Sequence, residues 1–174
     1  AWDVSAMQDK SILAWYTTNA NGSLKVYIGS DCEIFANTDS SYLFAYIGYG
    51  TKCTATNTIT NIAILNTSLT TDMTAMFMGT GSNSMTKLDL GTNFDTQNVT
   101  SMRNMFAYTG YNAITTINFG DKFNTSNVTD MSLMFANFGY TALTTLNLGE
   151  NFSTANVVNM SGMFEYFGYT KLEN

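Results

Sequence analysis

"NVTDMSLMF", residues 127–135, has a near copy 29 residues earlier, "NVTSMRNMF" (98–106), and another 29 residues later, "NVVNMSGMF" (156–164). The Asn, the Val, both Met and the closing Phe keep their places while the residues between them change. A fixed period of this size, without insertion or deletion, marks a chain of stacked coils that bury one another's open faces. Val128, Met131, Met134 and Phe135 fall at offsets 0, 3, 6 and 7 of the unit. At about 100° per residue they share one apolar face, which predicts a short helix. Asn127 stands where an N-cap belongs, and Asp130 three residues on completes a capping box. On this reading the methionine stripe is core and not a metal or cofactor site.

The other half of each coil carries a different pattern. "LTTLNLGENF" (143–152) spaces Leu143, Leu146 and Leu148 as L-x-x-L-x-L, with Asn151 and Phe152 following. Met85, Leu88, Leu90, Asn93 and Phe94 fit the same frame, as do Ile114, Ile117, Phe119 and Phe123, with Lys122 in place of the Asn. Ile59, Ile62 and Ile64 repeat it once more, with a shortened loop after them. Alternation over three residues predicts a short half-buried strand, and stacking would lay these strands side by side in parallel.

The first third is a degenerate version of the plan. "FAYIGYG" (44–50) matches "FAYTGYN" (106–112), and residues 12–29 read as a hairpin around Asn-Ala-Asn-Gly-Ser. The expected class is therefore α/β: a leucine-rich-repeat-like solenoid of about 29-residue coils. It would have a parallel sheet on one face, short helices on the other and an N-terminal β-hairpin cap. Residues 1–174 form one solenoid domain in this reading: 1–29 a capping hairpin and first strand, 30–58 a degenerate coil, 59–174 regular coils with an open C-terminal end. That open end predicts self-association, and further repeats are expected to follow it.

Composition narrows the function. The chain of 174 residues is 45% hydrophobic but only 11% charged, so neutral Thr, Asn and Ser must carry its surface. Net charge is −6 and only seven residues are Lys or Arg, which argues against nucleic acid as partner. No apolar run is long enough to span a membrane. Histidine is absent, removing the commonest general base and metal ligand. No phosphate loop, EF-hand or nucleophile elbow is present, so no enzyme activity and no cofactor are expected. Asp89, Asp95, Asp121, Asp130 and Glu150 read as solvated carboxylates, with calcium bridging between coils as the sharper alternative. Cys32 and Cys53, the only cysteines, leave a disulfide open in an exported chain. The apparent register of Cys32 with Phe94, Phe123 and Phe152 points instead to a buried thiol.

"LNLGENFSTANVVNMSGMF" (146–164) and "FNTSNVTDMSLMF" (123–135) resemble the bacterial surface-protein family with BspA-like leucine-rich repeats, whose members carry strings like "LDLSNFDTSNVTDMSGMF". "WDVSAMQDKSILAWY" (2–16) and "YIGSDCEIFANTDSSYLF" (27–44) resemble the segment preceding such repeats. The resemblance implies an exported bacterial protein, at the cell surface, used for attachment to host or other cells. This repeat is longer than the family's, the extra residues lying in "AYTGYNA", "ANFGYTA" and "EYFGYTK".

Two rows are candidates for binding a host or cell-surface protein or glycan. Lys87, Asp89, Thr116, Asn118, Thr145 and Asn147 alternate with buried strand residues and form the exposed side of the sheet. Tyr49, Tyr111, Tyr140 and Tyr169 each follow a glycine, and serve either as interface anchors or as a seal along the coil edge. The alternative to an adhesion module is a non-binding spacer or assembly subunit of a larger surface protein. A Thr-rich face ordering ice or polysaccharide is a third reading, against which Lys87 and the Asn residues interrupt the rows. The triplets "NVT" and "NTS" need no sugar to explain them.

Overall fold

The computed structural model describes residues 2–3, 11–51, 54 and 59–171. Parallel bridges run from Asp39 to Asp72, then to Ser101, Asp130 and Asn159, joining successive coils in register. The first interval is 33 residues and the later ones 29, as the threonine side chains linking the same coils show.

The segments expected to be helical are chains of turns. Among the described residues the only helical element is a 3-10 turn, Ile62–Ile64. Each of these segments instead has three residues in left-handed conformation: Ala75, Gly79 and Gly81, then Asn104, Tyr108 and Gly110, then Leu133, Asn137 and Gly139, then Gly162, Tyr166 and Gly168. Their φ values all lie between 50° and 69°, which an α-helix cannot accommodate. The backbone bonds explain why this arrangement replaces a helix. The N–H groups of Met105, Ala107 and Thr109 close turns onto Met102, Asn104 and Phe106. Those of Met102, Asn104, Phe106 and Tyr108 donate forward to Asp130, Ser132, Met134 and Ala136 in the next coil. Alternate donors thus stitch coil to coil, whereas a helix would spend every donor within itself.

The expectation of an α/β solenoid with helices on one face and one parallel sheet on the other is overturned. Asn127 caps no helix; its side-chain amide donates to Gln97 O at 2.7 Å, one coil back. Asp130 does not answer Asn127 but accepts from the Ser132 N–H and hydroxyl, at 2.8 and 2.6 Å. The sheet is broken into small pieces. β4 (Ile34–Phe35) pairs in parallel with β5 (Leu65–Asn66), and β6 (Lys87–Asp89) with β7 (Thr116–Asn118). Ile62–Ile64 turns rather than extends, leaving Ile64 exposed.

β2 (Leu13–Thr18) and β3 (Leu24–Gly29) form an antiparallel hairpin, extended by β1 (Trp2–Asp3). The hairpin buries Ala14 and leaves Leu24, Val26 and Ile28 exposed. Pairing of Ile34 with Leu65 gives Ile34 the place that Cys32 was expected to hold, and Cys32 is exposed, with no disulfide partner among the described residues. Its pairing with Cys53 lies outside the described residues.

The core is a column of aromatic rings inside the turns. Phe77, Phe106, Phe135 and Phe164 stack successively at 5.5, 5.4 and 5.6 Å, tilted by no more than 7°. Met73, Met76, Met102, Met105, Met131 and Met134 pack around this column, fully buried. The buried polar residues among those described are six threonines with Ser40, Ser82 and Ser132, and threonine hydroxyls bond backbone carbonyls of adjacent coils: Thr67 to Asp95, Thr96 to Asn124, Thr125 to Ser153. No buried side-chain N or O lacks a partner among the described residues.

Candidate functional site

All six strand-face residues, Lys87, Asp89, Thr116, Asn118, Thr145 and Asn147, are exposed, but they are not equivalent. Asp89, Asn118 and Asn147 each turn a side-chain oxygen to the N–H two residues on, at Gly91, Gly120 and Gly149, at 3.0, 3.1 and 2.9 Å. These bonds form Asx turns that end each extended segment. Asn118 also donates to Asp89 at 3.0 Å, tying two coils. Lys87 and Thr116 are neighbours across the β6–β7 ladder. The side chains of Lys87, Thr116 and Thr145 make no hydrogen bond among the described residues. The row divides into three residues that shape turns and three that project.

The expected third strand is missing. Residues 143–149 form no strand, and no backbone hydrogen bond among the described residues joins 116–119 to 144–148. The coils meet again on either side, through Thr141 N–H to Tyr111 O at 3.1 Å and Thr125 N–H to Asn151 O at 3.2 Å. Between these closures lies a cleft of about 440 Å³, walled by Ile117, Phe119, Phe123 and Leu148 and rimmed by Asn118, Asp121, Asn147, Glu150 and Asn151. The glycines record the opening. A side chain at Gly120 would collide with the Gly91 carbonyl one coil back, yet one at Gly149 would meet nothing within 4 Å. Asn147 and Asn118 line the cleft, and Thr116 and Thr145 do not. No signal in the sequence announces this: "TTLNL" (144–148) and "TTINF" (115–119) carry the same pattern.

The tyrosines stand in a separate stack. Tyr111 and Tyr140 lie 4.8 Å apart and 8° from parallel, and Tyr140 and Tyr169 5.2 Å apart and 20° from parallel. Tyr49 does not join them; it packs edge-on to Tyr46 at 5.5 Å. Rings stacked in this way cover each other's faces and present edges, the geometry of a seal. Partial burial between the rings raises the Tyr140 phenol above its ordinary value, and the neighbouring phenols of Tyr111, Tyr169 and Tyr166 add to it.

Among the described residues no three His, Cys, Asp or Glu side chains gather as metal ligands would, and no helix is long and apolar enough to cross a membrane. Residues 50–137 and, overlapping them, 71–171 match the family described as "Mycoplasma protein of unknown function, DUF285". No curated protein and no solved structure matches the chain.

Proposed function

The chain belongs to the DUF285 family, described as Mycoplasma protein of unknown function, and we propose that it is a non-enzymatic, extracellular recognition module of the bacterial surface. It binds a host or cell-surface protein or glycan through its strand face. The observation that carries this reading is the division of labour in the coils. Core rings, buried threonines and the turn ladder hold the stack together, so Lys87, Thr116 and Thr145 project without a structural task. Repeating coils frequently use such a row as an extended binding surface. The finer likeness to BspA-like leucine-rich-repeat surface proteins supports an attachment role, though the coils here are built of turns and not helices.

One observation favours the alternative of a structural spacer. Asp89, Asn118 and Asn147, half of the row, are engaged in Asx turns. An array of host matrix proteins and glycans, probed with the protein and with a Lys87→Ala, Thr116→Ala, Thr145→Ala triple variant, decides between the two. Recognition predicts a partner whose binding the triple variant weakens at unchanged melting temperature. A partner indifferent to the triple variant would remove the strand face from the reading, and no partner at all would leave the spacer.

A further inference from the structure

We propose that the cleft between residues 117–123 and 147–151 receives an extended basic peptide segment, which pairs with the free edge at Ile117, in β7, as an added strand. The inference rests on the recognition reading above and names where and what that surface would bind. Three observations carry it.

The first is the unused edge of β7. Asn118 O accepts from the Leu90 N–H at 2.9 Å, so Asn118 directs its backbone toward β6. Successive residues of a strand alternate, and Ile117 therefore directs its N–H and C=O to the opposite side, into the cleft it lines. Backbone edges left unpaired are templates for strand addition.

The second is shape. The cleft is closed beyond Phe123 and Asn151 by the Thr125 N–H bond to Asn151 O. Phe119 and Leu148 supply an apolar floor for side chains on one face of an incoming strand.

The third is charge. The only ionisable side chains lining the cleft are Asp121 and Glu150, both exposed at its mouth. A smaller recess beside it adds Asp95 and one base, Lys122. In a chain of net charge −6, this rim favours lysine or arginine on the segment and opposes an acidic one.

The test uses a seven-residue peptide alternating valine with lysine, its glutamate counterpart, and a lysine form N-methylated at alternate backbone positions. Amide exchange of the free protein comes first: Ile117 and Asn147 should exchange at least tenfold faster than Leu90. Equal protection would mean a closed slot and would overturn the proposal. On titration the lysine peptide should bind and slow exchange at Ile117, with at least tenfold weaker binding for the glutamate and N-methylated forms. An Asp121→Lys, Glu150→Lys double variant, altering only exposed side chains, should reverse the preference for lysine over glutamate. Absence of binding by the lysine peptide, or binding indifferent to N-methylation and to the double variant, would sink the idea. An array partner whose binding depends on Lys87, Thr116 and Thr145, found while the peptides fail, would overturn the cleft alone. Peptide binding with an empty array would uphold the cleft and overturn the host-surface reading.

Discussion

The Thr96 hydroxyl closes a ring with the peptide group of Asn124 in the next coil, donating to its carbonyl at 2.8 Å and accepting from its N–H at 2.7 Å. Thr125 repeats the contact with Ser153 at 2.8 and 2.7 Å. One buried side chain thereby satisfies both backbone groups of a residue 28 positions ahead, where no strand ladder reaches. A residue with its hydroxyl at this point fits the core only if both bonds are made.

Replacing Thr96 or Thr125 by Val keeps the shape and strands a backbone donor and acceptor. Each substitution should cost about 1–3 kcal/mol, since an unsatisfied buried group loses its solvation without recompense. Thr→Ser at the same positions should cost much less. Urea midpoints of the four variants measure this; a loss for Ser as large as that for Val would show that the two hydroxyl bonds are not what holds the position.

The left-handed residues make a second prediction. Asn104 and Asn137 have φ of 55° and 58°, a region that asparagine tolerates and β-branched residues avoid. Asn104→Val and Asn137→Val should each destabilise by about 1–2 kcal/mol, the usual cost of a side chain in this conformation. Asn→Gly should be close to neutral, because glycine adopts it freely. A helix would respond in the opposite order, valine being the better helix former of the two.

That contrast explains what the sequence made legible. The 29-residue period and the burial of Met131, Met134 and Phe135 follow from side-chain identity and could be read directly. Secondary structure could not, because offsets of 0, 3, 6 and 7 put residues inward in a chain of turns as well as in a helix. Gly81, Gly110, Gly139 and Gly168 were a visible left-handed signal. Ala75, Tyr108 and Leu133 were not, since nothing local favours positive φ in them and the inter-coil bonds impose it. The strand face was legible as exposed, but the cleft was not. Residues 144–148 repeat 115–119 closely, and their separation is a matter of how two coils dock, not of either pattern.

The tyrosine stack titrates in a predictable direction. Tyr140 has its phenol raised above the ordinary 10.0, first by burial and then by neighbouring phenols. The folded state therefore holds its proton more tightly than the unfolded chain does. Stability from this group is full below pH 10 and is lost as pH rises through the higher folded value. Melting temperature should fall above that pH, and Tyr140→Phe should lessen the fall by removing the titrating group. Ultraviolet titration should show one late-ionising tyrosine in the native protein, absent from the variant. A late ionisation that persists in Tyr140→Phe would place the raised phenol elsewhere.

The paired side chains of Asp89 and Asn118 distinguish a scaffold row from a recognition row most directly. Asn118 donates to Asp89, and each closes its own turn onto a glycine N–H. Asp89→Ala and Asn118→Ala should each lower stability, by about 1 kcal/mol for exposed hydrogen bonds of this kind. A double-mutant cycle should give a coupling of the order of 0.5 kcal/mol or more, as expected for residues in contact. Lys87→Ala and Thr116→Ala, the pair at the other end of the same ladder, should stay within about 0.5 kcal/mol of the parent protein. Thermal or urea unfolding of the five variants measures the split. If Asp89 and Asn118 prove as dispensable to stability as Lys87 and Thr116, their bonds do not hold the turns, and the whole row, not half of it, is available to a partner.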